Sequence, residues 1–481
     1  MSRFARIGVA ALLGALCLTA CKTVGPRYAG PPATSAVNAP EAQGAFVSAD
    51  NPAFSREIAP GDWWRLYQDP RLDALITQAF AANTDLRSAE ANLERSQALL
   101  QQARVARQPS VAANLTPGFA QLSAESYLAA GTIAPLGLID LGVSVNYDVD
   151  LFGRIHRAIQ AEAADDEAVR AAYDLAKINV AAQVTTAFAQ VCGAGEELVA
   201  ARRSLDLQKQ SGALTQRLVR AGRGTALDTT RSIAQVAQFQ ADIPSLESQQ
   251  RNALFRLAVL TGRPPADFPR DLETCATPPR LVTPLPVGDG AALLKRRPDV
   301  RQAERAMAAE TARIGVATAD LYPSIAFGVT AGTTGAFTDA FTAATNRYGV
   351  GPNITWQLNP NAARARIAQA QAQLKGGVAH FDGVVLNALR ETETALNAYT
   401  HDLERNAALV TGHTQALQAL DQARTLFKGG KIDFLAFLDA QRSLASTESA
   451  LARSNSQLSS DQVTIFLALG GGWEAPATPA R

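Results

Sequence analysis

The sequence predicts an internally duplicated α+β membrane protein, in which long helices accompany four β-strands, too few to close a barrel within one chain. Three observations predict it. The chain opens with an export signal, lays out one plan twice, and carries four alternating runs whose second face is small and polar.

At the N-terminus, Arg3 and Arg6 precede the apolar run Ile7 to Ala20, "IGVAALLGALCLTA". A charged n-region and an h-region of this length make residues 1–20 a signal peptide. It ends in "LTAC", Leu18 to Cys21, where an ordinary signal ends in a small-x-small cleavage site. The pattern resembles a bacterial lipobox, which makes Cys21 the attachment point of a covalent lipid. The alternative is an ordinary signal with an incidental cysteine. Lys22 stands where many inner-membrane lipoproteins carry aspartate, which favours the outer membrane. Residues 21–62 form a Pro-rich arm. Beyond the signal, no run reaches the roughly 18 consecutive apolar residues of a membrane-spanning helix.

Lys and Arg total 45 against 44 Asp and Glu, so the net charge is +1 and there is no electrostatic footprint for nucleic acid. Hydrophobic residues make up 47% and charged ones only 19%. Ala, Gln, Ser and Thr fill the gap, which favours closely packed elements with one polar face. Of the four cysteines, cleavage removes Cys17 and acylation consumes Cys21. Cys192 continues an apolar series at helical spacing, Leu175, Ile178, Ala182, Thr185 and Ala189, so a packed thiol is expected there rather than a disulfide with Cys275.

The duplication is read from five landmarks in the same order. "NTDLRSAEANLERSQ" from Asn83 answers to "RPDVRQAERAMAAET" from Arg297, 297 − 83 = 214 positions on. "RQPSVAANLT" from Arg107 answers to "LYPSIAFGVT" from Leu321, and "VNYDVDLFG" from Val145 to "PNITWQLNP" from Pro352. "VRAGRGTALD" from Val219 answers to "FKGGKIDFLAFLD" from Phe427, and "FRLAVLTG" from Phe255 to "TIFLALGG" from Thr464. The halves are taken as 63–276 and 291–471, joined by the Pro-rich linker 277–290 and followed by a tail, 472–481. A period of about 210 residues is far longer than a solenoid repeat.

Strands are expected at about 109–122, 138–152, 323–335 and 347–359. In the second, Leu141, Val143, Val145, Tyr147, Val149 and Leu151 alternate with Gly142, Ser144, Asn146, Asp148 and Asp150. Such alternation also suits a half-buried soluble sheet. Strands of about ten residues with a small, polar second face favour a membrane barrel around water. About eight strands is the smallest known barrel, and open edges are not tolerated in lipid, so several copies must share one.

From Phe152 to Val219 no proline appears, and 219 − 152 + 1 = 68 residues of helix would be roughly 100 Å long. Such a helix must pack along its length in a coiled coil or helical tunnel; a bundle of shorter helices is the alternative. Gly193 and Gly195 are expected to loosen it locally. Helical hairpins turn at 222–228, holding Gly222, Arg223, Gly224 and Thr225, and at 428–433, holding Gly429, Gly430 and Lys431.

With these features the chain resembles a TolC-like outer-membrane efflux protein of the lipoprotein (NodT-type) branch. The likeness covers nearly the whole chain. It includes "CKTVGPRYAGP" from Cys21, "WWRLYQDPRLDALI" from Trp63, "DLFGRIHRA" from Asp150, "RRPDVRQAE" from Arg296, "LDAQRSLA" from Leu438 and "LALGGGW" from Leu467. The resemblance implies a homotrimer in which each chain gives four strands to one twelve-stranded outer-membrane barrel above a periplasmic helical tunnel. It implies a passive exit duct of a tripartite efflux system for drugs, toxic compounds or metal ions, with a periplasmic adaptor and an inner-membrane pump of the RND type. A type I secretion channel shares the fold, and a coiled-coil lipoprotein that transports nothing is the remaining alternative. "LNPNAARAR" departs from the family's glycine-bearing turn, with Asn359 as N-cap and Pro360 at the first helical position.

No enzymatic chemistry is legible. His156, His380, His401 and His413 are scattered, so neither a metal site nor a cofactor is expected beyond the lipid on Cys21. "EAADDEAV" from Glu162 reads as a solvated or lumenal face. The two tips are expected to dock the adaptor. The family's constriction role transfers to Asp439, with Arg442 three residues on, and at lower rank to Asp228 and Arg231, which repeat the spacing.

Overall fold

A computed structural model of the chain describes residues 23–125, 128, 130–281 and 284–471. The expected signal peptide, Cys21 and the tail lie outside them. The described chain is mostly helical, and its elements come in two sets. The first is α1 (Pro70–Ala82), α2 (Thr84–Val105), β1 (Ser110–Ala120), β2 (Leu136–Val149), α3 (Arg154–Arg220) and α4 (Ala226–Leu260). The second is α5 (Gly290–Arg296), α6 (Pro298–Ala319), β3 (Ser324–Ala336), β4 (Asn346–Thr355), α7 (Asn361–Lys428) and α8 (Phe434–Ala468). They divide between two compact units.

One unit holds Leu93–Val169, Gln302–Phe381 and the arm up to Pro32. Its four strands form one antiparallel sheet in the order β1-β2-β3-β4. The register aligns Val111, Val145, Val329 and Val350 across all four strands, so the alternating pattern puts every apolar set on one face. Carboxylate and amide caps start the helices that follow. Asp150 accepts from the backbone N–H of Ile155 (3.0 Å) and His156 (2.8 Å), and Asn359 from that of Asn361 (3.1 Å). The acidic run on α3 is partly paired with α2 and α6, while Glu167 stays exposed. Asp165 pairs with Arg313 and Glu167 with Arg305 of α6, while Asp166 accepts from Ser96 of α2 at 2.7 Å. Helix-to-helix pairing across sequence-distant elements consumes charges that look surplus on one helix.

The other unit holds Ala33–Asn92, Arg170–Arg301 and the chain from Asp382 onward. Its largest core stacks Trp63 on Phe466 with ring centres 4.8 Å apart, around Leu285, Leu396 and Ile465. A second core joins Leu72 and Ile76 of α1 to Phe188, Leu254 and Leu257. Arm and linker meet in a two-residue parallel pair, Phe54–Ser55 with Leu285–Pro286.

Two expectations fail here for one reason. Cys192 and Cys275 form a disulfide rather than packed thiols, and α3 runs unbroken for 67 residues through Gly193 and Gly195. A Cβ on Gly195 would lie 1.8 Å from the Cys275 carbonyl oxygen. The glycine is there so that the Cys275 segment can reach the helix, bringing the two Cα atoms to 4.7 Å. The partners are 83 residues apart, so the helical period of α3 carries no trace of the contact.

The halves correspond at two offsets, as their landmarks do: 214 up to the first strand of each half, then 430 − 222 = 208 for the hairpin glycines and 470 − 262 = 208 for the glycines closing α4 and α8. The six-residue difference falls between the strands, where β1–β2 is bridged by 135 − 120 = 15 residues and β3–β4 by 345 − 336 = 9.

Candidate functional site

Three places could serve a channel: the sheet, the hairpin tips and the segment just beyond the second tip. The sheet exposes an unusual amount of apolar surface. Val111, Leu115, Phe119, Tyr348, Val350 and Ile354 are each more than 60% exposed, and the register puts all of them on one face. An area of that kind on a soluble monomer would be a liability. The opposite face is polar and holds a charge pair. Arg347 reaches Asp140 at 2.6 Å and Thr334 at 2.7 Å, and Asn114 donates to the same carboxylate at 3.3 Å. The outer edges of β1 and β4 have no strand partner among the described residues.

At the tips, Gly222 and Gly430 both take a left-handed φ of 70°. Each tip closes with the same bonds: Gly222 N–H to Val219 and Arg223 N–H to Leu218 in the first, Gly430 N–H to Phe427 and Lys431 N–H to Leu426 in the second. The following helix is capped by Thr225 in the first half and Asp433 in the second. Under the second tip Phe427 stacks on Phe437, ring centres 5.0 Å apart, so a packed base carries that exposed turn. Arg223, Gly224, Thr225, Gly429 and Lys431 are exposed.

Asp439 and Arg442 lie in α8 one turn apart, both exposed, and no ion pair joins them among the described residues. Asp228 is committed elsewhere. It completes a capping box, accepting from the Thr225 backbone N–H at 2.9 Å and hydroxyl at 2.7 Å, which holds its carboxyl below the usual range. The offset of 208 aligns Arg231 with Asp439 (439 − 208 = 231) and Asp228 with Ala436 (436 − 208 = 228), so Asp228 and Arg231 are not the counterparts of Asp439 and Arg442. Matching spacing on two helices fixes no phase between them.

Sequence reasoning missed two groups. Asn83 donates through Nδ2 to the Leu260 carbonyl at 3.0 Å, and Arg297 through Nη1 to the Ala468 carbonyl at 2.7 Å. These carbonyls are again 468 − 260 = 208 apart, so each repeated phrase opens by tying its first residue to the last turn of that half's final helix. The second is Asp461, buried on α8, whose carboxyl is pushed up to about 6 by burial and by Asp402. Neither has a motif; each is visible only as a contact. Among the described residues no cluster of three His, Cys, Asp or Glu side chains is placed to hold a metal.

The family described as outer membrane efflux protein matches residues 75–263 and 291–471, the two halves in turn. The chain is similar to outer membrane protein OprJ of Pseudomonas aeruginosa, 30% identical over 97% of this chain and 96% of that one. It is similar also to nodulation protein T of Rhizobium leguminosarum bv. trifolii, 25% identical over 96% and 97%. Among solved structures the outer-membrane channel OprN superposes with a TM-score of 0.86 at 32% identity, covering 94% of this chain and all of that one.

Proposed function

The chain belongs to the outer membrane efflux protein family, whose members are outer-membrane channels rather than enzymes, and from that premise we propose that it is the exit duct of a tripartite efflux system. Three copies close one twelve-stranded barrel, β4 of each chain pairing with β1 of the next. The observation that carries this reading is the sheet itself, with one apolar exposed face, one polar face and two unpaired edges. Such edges cost several kcal/mol per unsatisfied group in lipid, and closure removes them. The polar face then lines a water-filled lumen in which Arg347 and Asp140 sit. In this reading Cys21 carries the lipid, both tips grip a periplasmic adaptor, Asp439 with Arg442 forms the constriction, and an RND-type pump selects the cargo, drugs, toxic compounds or metal ions. No cofactor takes part.

Native mass spectrometry of the detergent-solubilised protein should give three copies, and planar bilayers should show conductance. A folded, water-soluble monomer overturns the barrel. Deleting the gene should sensitise cells to exported compounds, and mass spectrometry of the mature N-terminal peptide should find the lipid on Cys21.

A further inference from the structure

The duct accounts for the sheet and the tips but not for a cavity of about 350 Å³ at the start of α3, bordered by Arg27, Tyr28, Arg157, Gln160 and Arg305 and floored by alanines such as Ala308. Arg157 is 3% exposed and has no carboxylate partner among the described residues. Its Nε and Nη2 donate to the Val24 and Gly25 carbonyls at 3.0 Å and its Nη1 to Gln160 at 2.9 Å. Three of five N–H donors are thereby used, and two remain. Arg27 borders the same cavity, exposed and in no ion pair among the described residues. Glu167 borders the cavity too, but it pairs with Arg305, as does Glu304, so Arg27 and Arg157 leave the lining with a surplus of positive charge. Burial and repulsion from Arg27 push the Arg157 guanidinium below its usual range.

The cavity's level along the chain says what the anion is attached to. Arg157 lies in the first turn of α3, just past the end of the apolar sheet face. Phe152 stacks on Tyr322 there, ring centres 4.5 Å apart, and Trp356 donates to the Leu321 carbonyl at 3.2 Å. Aromatic side chains at strand ends mark the headgroup level of a barrel. Nearby cations are weakly balanced as well: Arg154 and Arg366 share the single carboxylate of Asp320, and the Arg107 guanidinium contacts the His156 ring.

We propose that the cavity between Arg27 and Arg157 holds the phosphate headgroup of an anionic phospholipid from the membrane leaflet facing the helices. Two guanidiniums suit a phosphate, and the alanine floor leaves room for its glycerol. The site rests on the barrel reading, and residue 27 follows the lipid-bearing Cys21 by only six positions, within about 20 Å of extended chain.

The test is native mass spectrometry of the full-length protein in detergent with added phosphatidylglycerol or phosphatidylcholine. Wild type should retain phosphatidylglycerol about tenfold over phosphatidylcholine. Arg27→Glu and the milder Arg27→Gln should bring the two lipids level, while copy number and bilayer conductance stay as in wild type. Equal retention by wild type, or an undiminished preference in both variants, overturns the proposal. A wild-type protein that neither assembles nor conducts would instead overturn the barrel.

Discussion

Replacing Arg297 with alanine should open the joint where the second repeat begins. The guanidinium holds Asp299 through Nε (3.0 Å) and Nη2 (2.7 Å), Glu391 through Nη2 (2.9 Å) and the Ala468 carbonyl through Nη1 (2.7 Å). Breaking a fully buried pair costs about 3–5 kcal/mol. This one is mixed, because the Glu391 side chain is 45% exposed and regains water, leaving its share at about 1 kcal/mol or less. The Ala468 carbonyl keeps the longer bond from the Thr392 hydroxyl at 3.3 Å, so losing Arg297 there costs about 1 kcal/mol, and Asp299, only 24% exposed, loses about 1 kcal/mol more. Together these give about 3 kcal/mol, or about a hundredfold more local opening. Hydrogen exchange of the detergent-solubilised protein reads this directly: protection of the peptide 464–471 should fall about a hundredfold. Arg297→Lys should recover only part of it, because an ammonium cannot fork onto Asp299 while reaching Ala468. Asn83→Ala should produce a smaller loss, about 1–2 kcal/mol, at the end of α4 and at the start of α2, which Asn83 caps. Unchanged exchange at 464–471 in Arg297→Ala would refute the joint.

Removing the disulfide with Cys192→Ala and Cys275→Ala frees an 83-residue loop, worth up to about 4.5 kcal/mol in the chain-entropy picture, so the melting temperature should drop clearly. Wild type that melts alike with and without reductant would count against it. Asp461 titrates near 6 against an ordinary 3.8, so its contribution to stability is full below about 3.8 and lost as pH rises through about 6. Asp461→Asn should therefore stabilise the protein at pH 7.5 and have no effect at pH 3.5; equal effects at both would sink the argument. Gly430→Val forces a β-branched residue into a φ of 70° and should cost about 1–2 kcal/mol locally while abolishing efflux with copy number intact; unchanged resistance would make the tip a mere connection. Asp439→Ala with Arg442→Ser should raise bilayer conductance and weaken cation block, and wild-type values for both would place the constriction elsewhere.

Periodicity by itself determined the local layer of this protein. Alternation over Leu141–Leu151 fixes a strand and its two faces, because a side-chain period of two admits no other arrangement. The proline-free stretch after Phe152 marks helix for the same local reason, while the fold decided that it runs unbroken for 67 residues. Paired landmarks likewise disclosed the duplication, though not its register. Only the tertiary structure decided what pairs at a distance. The Cys192–Cys275 bond, the Arg297 joint, the Asp461–Asp402 contact and the spending of Asp165 and Glu167 on α6 all join residues far apart in sequence. The same held for Gly195, which on one helix looks like a weak point and in the fold is the gap that lets Cys275 approach. A helix pattern records which face is buried, but not which atom of which neighbour lies against it. That atom depends on the phase between two helices, which the period along either one does not record.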